Sequence, residues 1–329
     1  MAAVSLVGDI GGTNARFALA EHGPDRPVLR EARVLPTADF ASLQEAATHY
    51  LSSVDASPRR AALGVACPVH GDEIRLTNRA WAFSRRTLAE DLGLERLDVL
   101  NDFGAAALGV SVLQPGEYEQ LHGRDGEPIV GPVSVIGPGT GMGVALLLRD
   151  RQRLWQVVET EGGHISFAAL GAEERQIYDW LAARHGRVSI ERVLSGPGLA
   201  EIHAALGERT PTQSITPDES LRTPAEIVSL ALTGDDPLAH AALARFCAVL
   251  GSVAGDAALF HGANTVAIAG GIVPRLIPFL KSSAFRDTFL DKGRFAAHLE
   301  RVRVLVVTHP EPGLLGAALS LQLPRSDQP

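Results

Sequence analysis

A chain of 329 residues, 46% hydrophobic and 21% charged, has the length of about two domains and the balance to bury a full core. Its formal net charge of -8 speaks against a nucleic-acid partner, because phosphate backbones require clustered Lys and Arg. Two cysteines far apart, Cys67 and Cys247, exclude a disulfide framework and a thiolate zinc site and fit a reducing cytoplasm.

In chain order, the opening MAAVSLVGDIGG has no basic n-region and no cleavage site, so no signal peptide is expected. No apolar run is expected to reach the ~20 residues of a membrane helix, and no membrane partner is expected. Val4–Val7 reads as a buried strand and Ala15–Ala20 as another, with a glycine turn between them. Residues 38–54 read as a helix. Residues 59–69 and 96–102 read as strands bounded by turn signals, and DFGAAALGV, 102–110, as a small-residue helix. The stretch 114–132, rich in Gly, Pro and charge, is the expected domain boundary. Strand, glycine turn and strand follow over 133–148. Residues 171–185 have helical spacing, with Gly186 as the stop. Residues 207–224 read as a polar loop. Thr223, Pro224 and Glu226 supply a cap, a first-position proline and a capping-box glutamate. A long Ala-rich helix is expected over 237–261, then a strand running into Gly-Gly over 264–272, and a frayed tail after Leu323. SLVGDIGGTNARFALA and SVIGPGTGMGVALLL share one order of strand, turn and strand, as if one architecture occurred twice.

The glycine turns are not P-loops, since no Lys follows them. They are not dinucleotide fingerprints either, because each leads into an apolar strand instead of a helix. A hairpin whose backbone N–H groups face an anion remains, with the glycines giving positive φ and close approach, and with Thr13 and Thr140 adding hydroxyls. Asp9 would repel phosphate directly; it fits if Mg2+ lies between, held through water. Each turn alone could equally be a tight hairpin. The AGGI turn, Ala269–Ile272, could be close strand–helix packing or a seat for a flat ring. Asn101 and Asp102 end a strand, where Asx residues commonly cap helices. Glu161 and His164 flank two glycines, and Glu191 stands near a helix start, where a carboxylate suits the macrodipole. Together these groups are of the kind that bind a polyol.

DIGGTNARFALA, LNDFGAAALG, GPGTGMGVALL, EGGHISF, ERVLSGPGL and AGGI closely resemble the bacterial ATP-dependent glucokinases, of the wider sugar kinase, Hsp70 and actin superfamily. The matches run in family order from residue 8 to 272, and EPGLLGAALSL, 311–321, is similar to the family's C-terminal helix. The resemblance implies an α/β fold of two ribonuclease H-like, actin-like ATPase domains, with mixed sheets flanked by helices and a cleft between them. It implies a small domain over 1–112, to which a helix at 311–323 returns, and a large domain over 113–310. It implies phosphoryl transfer from MgATP to the 6-hydroxyl of glucose, in a cytoplasmic homodimer. Asp102 is then the base, and Asn101, Asp102, Glu161, His164 and Glu191 bind the sugar. Asp9, Gly11, Gly12, Thr13, Asn14, Gly139, Thr140 and Gly141 meet the phosphates, and Gly270 and Gly271 back the adenosine. The repressor–kinase relatives carry a cysteine-rich zinc motif after the Gly-His segment; HISFAALGAEERQIYDWLAARHG has no cysteine, so no zinc is expected. A kinase for fructose, mannose or an amino sugar, and a non-kinase actin- or Hsp70-like nucleotide-binding protein, are the alternatives.

Overall fold

The structure is a computed structural model that describes residues 4–23, 26–76, 81–124, 126–152, 154–207 and 221–324. Most of the expected polar loop at 207–224 and the end of the tail lie outside the described residues. The chain forms two compact units, one of Met1–Glu117, Leu147–Glu159 and His309–Pro329, the other of Tyr118–Leu146 and Thr160–Thr308.

The first unit holds strands β1 (Val4–Ile10), β2 (Asn14–His22), β3 (Pro27–Pro36) and β4 (Arg60–Val65), a small hairpin of β5 (Glu73–Arg75) and β6 (Ala82–Ser84), and β7 (Arg96–Asn101). The sheet order is β3-β2-β1-β4-β7. β1 pairs antiparallel with β2 and parallel with β4, and β4 parallel with β7. β1 is central, so VSLVGDI is largely buried on both faces. β3 is an edge, and its Arg30 and Arg33 discourage further pairing. On one face Leu6, Ile10, Phe17 and Leu63 pack against Leu43, Ala46 and Tyr50 of the helix Leu43–Ser53. On the other, Val7, Ala18, Ala20 and Ala62 pack against Leu314, Ala317 and Ala318 of the helix Pro312–Ser320.

That helix lies against the helix Asp102–Val110 at glycines on both. A Cβ at Gly109 would fall 2.1 Å from the Pro312 carbonyl oxygen, and one at Gly316 would fall 1.7 Å from the Ala105 carbonyl oxygen. The first helix begins at Leu43, later than expected, because Ser42 caps it by accepting from Glu45 N at 3.1 Å. The unit runs on to Glu117, past residue 112, because Arg26 grips that carboxylate with both guanidinium nitrogens, at 2.7 and 2.9 Å.

The second sheet holds β8 (Tyr118–His122), β9 (Val133–Pro138), β10 (Met142–Arg149), β11 (Trp155–Thr160), β12 (Thr265–Ile268) and β13 (Arg303–Val307). Of these strands, Leu147–Arg149 of β10 and Trp155–Glu159 of β11 cluster with the first unit and the rest with the second. The sheet order is β11-β10-β9-β12-β13-β8, with β12 parallel to β9 and β13. β8 pairs antiparallel with β13 inside the stretch expected, from its Gly, Pro and charge, to be a domain boundary. Its order beyond β8 repeats the first sheet: third, second and first hairpin strands, then two parallel strands. The helix Pro237–His261 is long and apolar enough to cross a membrane by length and composition, contrary to the expectation that no segment would be, yet two-thirds of its apolar window is buried (67%). Leu243, Phe246, Leu250 and Ala254 sit in the core with Ile177, Leu199 and Ile227 of three other helices. Thr223 and Glu226 form the expected capping box for the helix Pro224–Thr233.

Candidate active site

In the first unit the turn between β1 and β2 is closed by Gly11 N donating to the Asn14 carbonyl at 2.9 Å. Thr37 ties back the other two carbonyls: its hydroxyl donates to Gly12 O at 2.8 Å and its N–H to Thr13 O at 2.9 Å. Among the described residues the N–H groups of Gly12 and Thr13 have no hydrogen-bond partner. Carbonyls turned away and amides open is the arrangement an anion needs. Asp9, at the end of β1, is pushed above its ordinary pKa by burial, against the pull of Arg16 at 3.4 Å. Arg16 also approaches Glu311 at 3.8 Å.

Asn101 and Asp102 end β7 and begin the helix Asp102–Val110, and the structure divides their tasks. Asn101 is the cap: its Oδ1 accepts from Phe103 N at 3.0 Å and Gly104 N at 3.1 Å. Its Nδ2 donates to Cys67 O at 3.3 Å, which leaves one amide hydrogen for a ligand. Asp102 stands one place inside the helix and is relieved of capping, though its Oδ1 takes the Phe103 N–H at 2.8 Å. Burial pushes the Asp102 carboxyl up to about 6; the Phe103 N–H opposes that shift, and the charges of Asp9 and Glu159 add to it. A half-buried carboxylate with that pKa is a usable base near neutral pH.

In the second unit the turn between β9 and β10 is built alike. Gly139 N donates to Gly141 O at 2.8 Å, and Gly196 N donates to Gly139 O at 2.8 Å. Among the described residues the N–H groups of Thr140 and Gly141 have no partner. Gly196 starts the helix Gly196–Leu206, whose cap Ser195 accepts from Gly198 N at 3.1 Å. The Gly270–Gly271 turn follows β12. A Cβ on Gly270 would lie 2.4 Å from the Pro138 carbonyl oxygen, and one on Gly196 would lie 3.8 Å from Ile272 Cδ1. Both glycine turns and the start of this helix therefore gather at the carboxyl ends of the parallel strands β9 and β12, where open α/β sheets bind ligands.

The expectation of positive φ fails at most of these glycines; among the site glycines only Gly270 has it, at 119°. At Gly141 the need is room, since a Cβ would fall 2.5 Å from Glu191 Oε2. That same oxygen accepts from Met142 N at 2.9 Å. Glu191 Oε1 is 4.0 Å from His164 Nδ1, and His164 Nε2 is 3.8 Å from Glu161 Oε2. Gly163 permits this, because a Cβ there would fall 2.1 Å from the Met142 carbonyl oxygen. Glu161, His164 and Glu191 thus form one polar group, bonded directly to the strand that leaves the second glycine turn.

Three participants escaped the sequence reading. From sequence Ser195 and Gly196 stand only as flanks of Glu191, although Ser-Gly-Pro is itself the signal of a capped helix start. Glu159, whose Oε1 accepts from Asn101 N at 3.1 Å, carried no signal, since the contact joins residues far apart in the chain.

A model of the glucokinase family matches residues 6–324. The glucokinase of Chromohalobacter salexigens is 47% identical over 323 residues, covering 96% of this chain and 97% of its own. The chain belongs to the glucokinase family. It is an enzyme, an ATP-dependent hexose kinase and so a phosphotransferase. The crystal structure of a glucokinase from an Antarctic psychrotroph matches with a TM-score of 0.85 and 37% identity, over 97% of this chain and 99% of that one. The Balamuthia mandrillaris glucokinase, solved in complex with glucose, has a TM-score of 0.78 at 22% identity, over 97% and 93% of the two chains, a likeness of fold. The fold of this glucokinase-family chain is the actin-like ATPase fold of the sugar kinases, with mixed sheets flanked by helices.

Proposed function

We propose that this glucokinase-family chain transfers the γ-phosphoryl group of ATP to the 6-hydroxyl of glucose, giving glucose 6-phosphate and ADP. The observation that carries the reading is Asp102, a carboxylate freed from capping by Asn101 and raised to about 6. Asp102 accepts the proton of the 6-hydroxyl as that oxygen bonds to the γ-phosphorus. The bond from the γ-phosphorus to the bridging oxygen breaks, and ADP leaves with the electron pair. The transition state is loose, so the remaining work is positioning and charge stabilisation. The free amide hydrogen of Asn101, with Glu161, His164 and Glu191, takes the other sugar hydroxyls. A hexose with one hydroxyl misplaced leaves such groups unpaired, and that cost gives selectivity.

The amides of the Gly11–Asn14 and Gly139–Gly141 turns receive the phosphates, the helix start at Gly196 adds its positive dipole end, and Gly270 and Gly271 back the adenosine. Asp9 suits Mg2+, which takes one or two carboxylates, several waters and substrate phosphates in place of a protein cage. Burial has already removed part of this carboxylate's solvation. Bound there, Mg2+ would neutralise phosphate charge. We also propose that the chain works in the cytoplasm in the first step of glycolytic glucose use, as a homodimer without structural zinc. The buried free thiols Cys67 and Cys247 fit that compartment. Dimer and zinc-free state rest on the resemblance, the latter on the missing cysteines after His164.

Family membership removes the non-kinase alternative; another hexose remains the rival. A panel of glucose, fructose, mannose and N-acetylglucosamine, each with ATP, ADP and polyphosphate, tests the assignment. Glucose with MgATP is expected to give the highest kcat/KM, and a higher value for any other pair overturns it.

A further inference from the structure

Resting on that reading of Asp102, we infer that Glu159 is a positioning residue that seats the Asn101–Asp102 pair through the Asn101 backbone. β7 is the edge of the first sheet, and an edge strand leaves N–H groups without a ladder partner. At Asn101 that N–H is taken by Glu159 Oε1 at 3.1 Å. Glu159 comes from β11, within the stretch Leu147–Glu159 that clusters with the first unit.

The hydrogen bond matters because of what else Asn101 holds. Its side chain gives Oδ1 to two helix amides and one amide hydrogen to Cys67 O. Beside the pairing of Asn101 with Val65 in the sheet, its backbone N–H is a further handle by which the strand end is fixed, and a carboxylate holds an N–H more firmly than a neutral acceptor does. Asp102 follows in the next residue, so a shift of the strand end moves the base. The packing agrees. Gly104, in the first turn of the same helix, has no side chain where Glu159 lies: a Cβ there would meet Glu159 Oε1 at 2.4 Å and Cγ at 2.9 Å. The glycine keeps open the space through which the carboxylate reaches the strand end.

Three variants of the full chain test this, with glucose and ATP varied separately. Glu159→Ala removes the acceptor. Glu159→Gln keeps an acceptor oxygen and removes the charge. Gly104→Ala leaves Glu159 in the chain and pushes its carboxylate aside, while favouring helix. Glu159→Ala should lower kcat by roughly five- to tenfold, the worth of one such hydrogen bond. Its KM for ATP and its melting temperature should stay at the parent values. Glu159→Gln should recover most of that kcat, and Gly104→Ala should match the loss seen with Glu159→Ala without melting earlier. Parental kcat in Glu159→Ala, or equal loss in Ala and Gln, overturns the inference. Failure of the underlying reading looks different: the parent would not phosphorylate glucose, or Asp102→Asn would be fully active.

Discussion

In the proposed reaction Asp102 carries two demands that pull against each other. As a base it needs a raised pKa, and burial supplies that, to about 6. The same burial makes its charge costly to the fold. Between the ordinary value of 3.8 and about 6 the folded chain holds more proton than the unfolded chain, so stability falls as pH rises through that window and stays reduced above it. Asp102→Asn keeps the shape, and the cap is undisturbed because Asn101 provides it. The variant should lose about 10² to 10⁴ in kcat, as expected when a general base is removed. It should also be more stable than the parent at pH 7.5, by about 1–3 kcal/mol, with the difference vanishing below pH 3.8. Denaturant melts at the two pH values, alongside kcat, check both halves; an Asn variant that is less stable and fully active contradicts both. The parent's kcat/KM for glucose should rise with pH through a midpoint near 6, where Asp102 ionises. A flat profile from pH 5 to 8 would remove Asp102 from the proton step.

Helices Asp102–Val110 and Pro312–Ser320 show how elements far apart in sequence carry the site. Gly109 and Gly316 let the two backbones touch, and the first of these helices begins at Asp102. Gly316→Ala would place a methyl group 1.7 Å from the Ala105 carbonyl oxygen. Backbone cannot yield as a side-chain tip does, so the helices must part. The loss should reach or exceed the ~1–3 kcal/mol of ordinary overpacking, and kcat should fall with it. Thermal melts and kinetics on this variant check the claim; unchanged stability would mean the contact is not tight. Composition alone shows neither contact glycine, and the return of the C-terminal helix to the first unit is expected only from the family resemblance. What was legible is local: the Thr223 capping box, the stop at Gly186 and the two strand–glycine–strand hairpins follow from neighbours in the chain. β8 was hidden because its strand character comes from pairing with β13, nearly two hundred residues on, while its own composition reads as linker. Glu159 was hidden for the same reason. Residue type alone does not say which of Asn101 and Asp102 caps, since either can, and only the resemblance separates them in sequence; the structure gives the cap to Asn101 and sets Asp102 one place inside the helix.

At the scale of the molecule the two sheets repeat one strand order, β8 apart, and each offers a glycine turn with open amides, between β1 and β2 in the first and between β9 and β10 in the second. The polar groups assigned to the sugar are divided: Asn101 and Asp102 belong to the first unit, and Glu161, His164 and Glu191 to the second. If both sets serve one glucose, weakening either should cost most of the stabilisation that glucose confers. Ligand at a hundred times its Kd adds about 2.7 kcal/mol to the folded state, and a variant binding a hundredfold more weakly keeps about 0.4 kcal/mol at the same concentration. Asn101→Ser retains a good helix cap and gives up the amide. Glu191→Gln retains the shape and an oxygen to accept from Met142 N, and gives up the charge. Each variant should unfold near its own ligand-free temperature when glucose is added, while the parent shifts upward. ATP without glucose should still shift all three proteins, because the glycine turns are intact. A variant in one unit that keeps the parent's full glucose shift would show that its set does not hold the sugar, and the division of labour would then fall to the other unit alone.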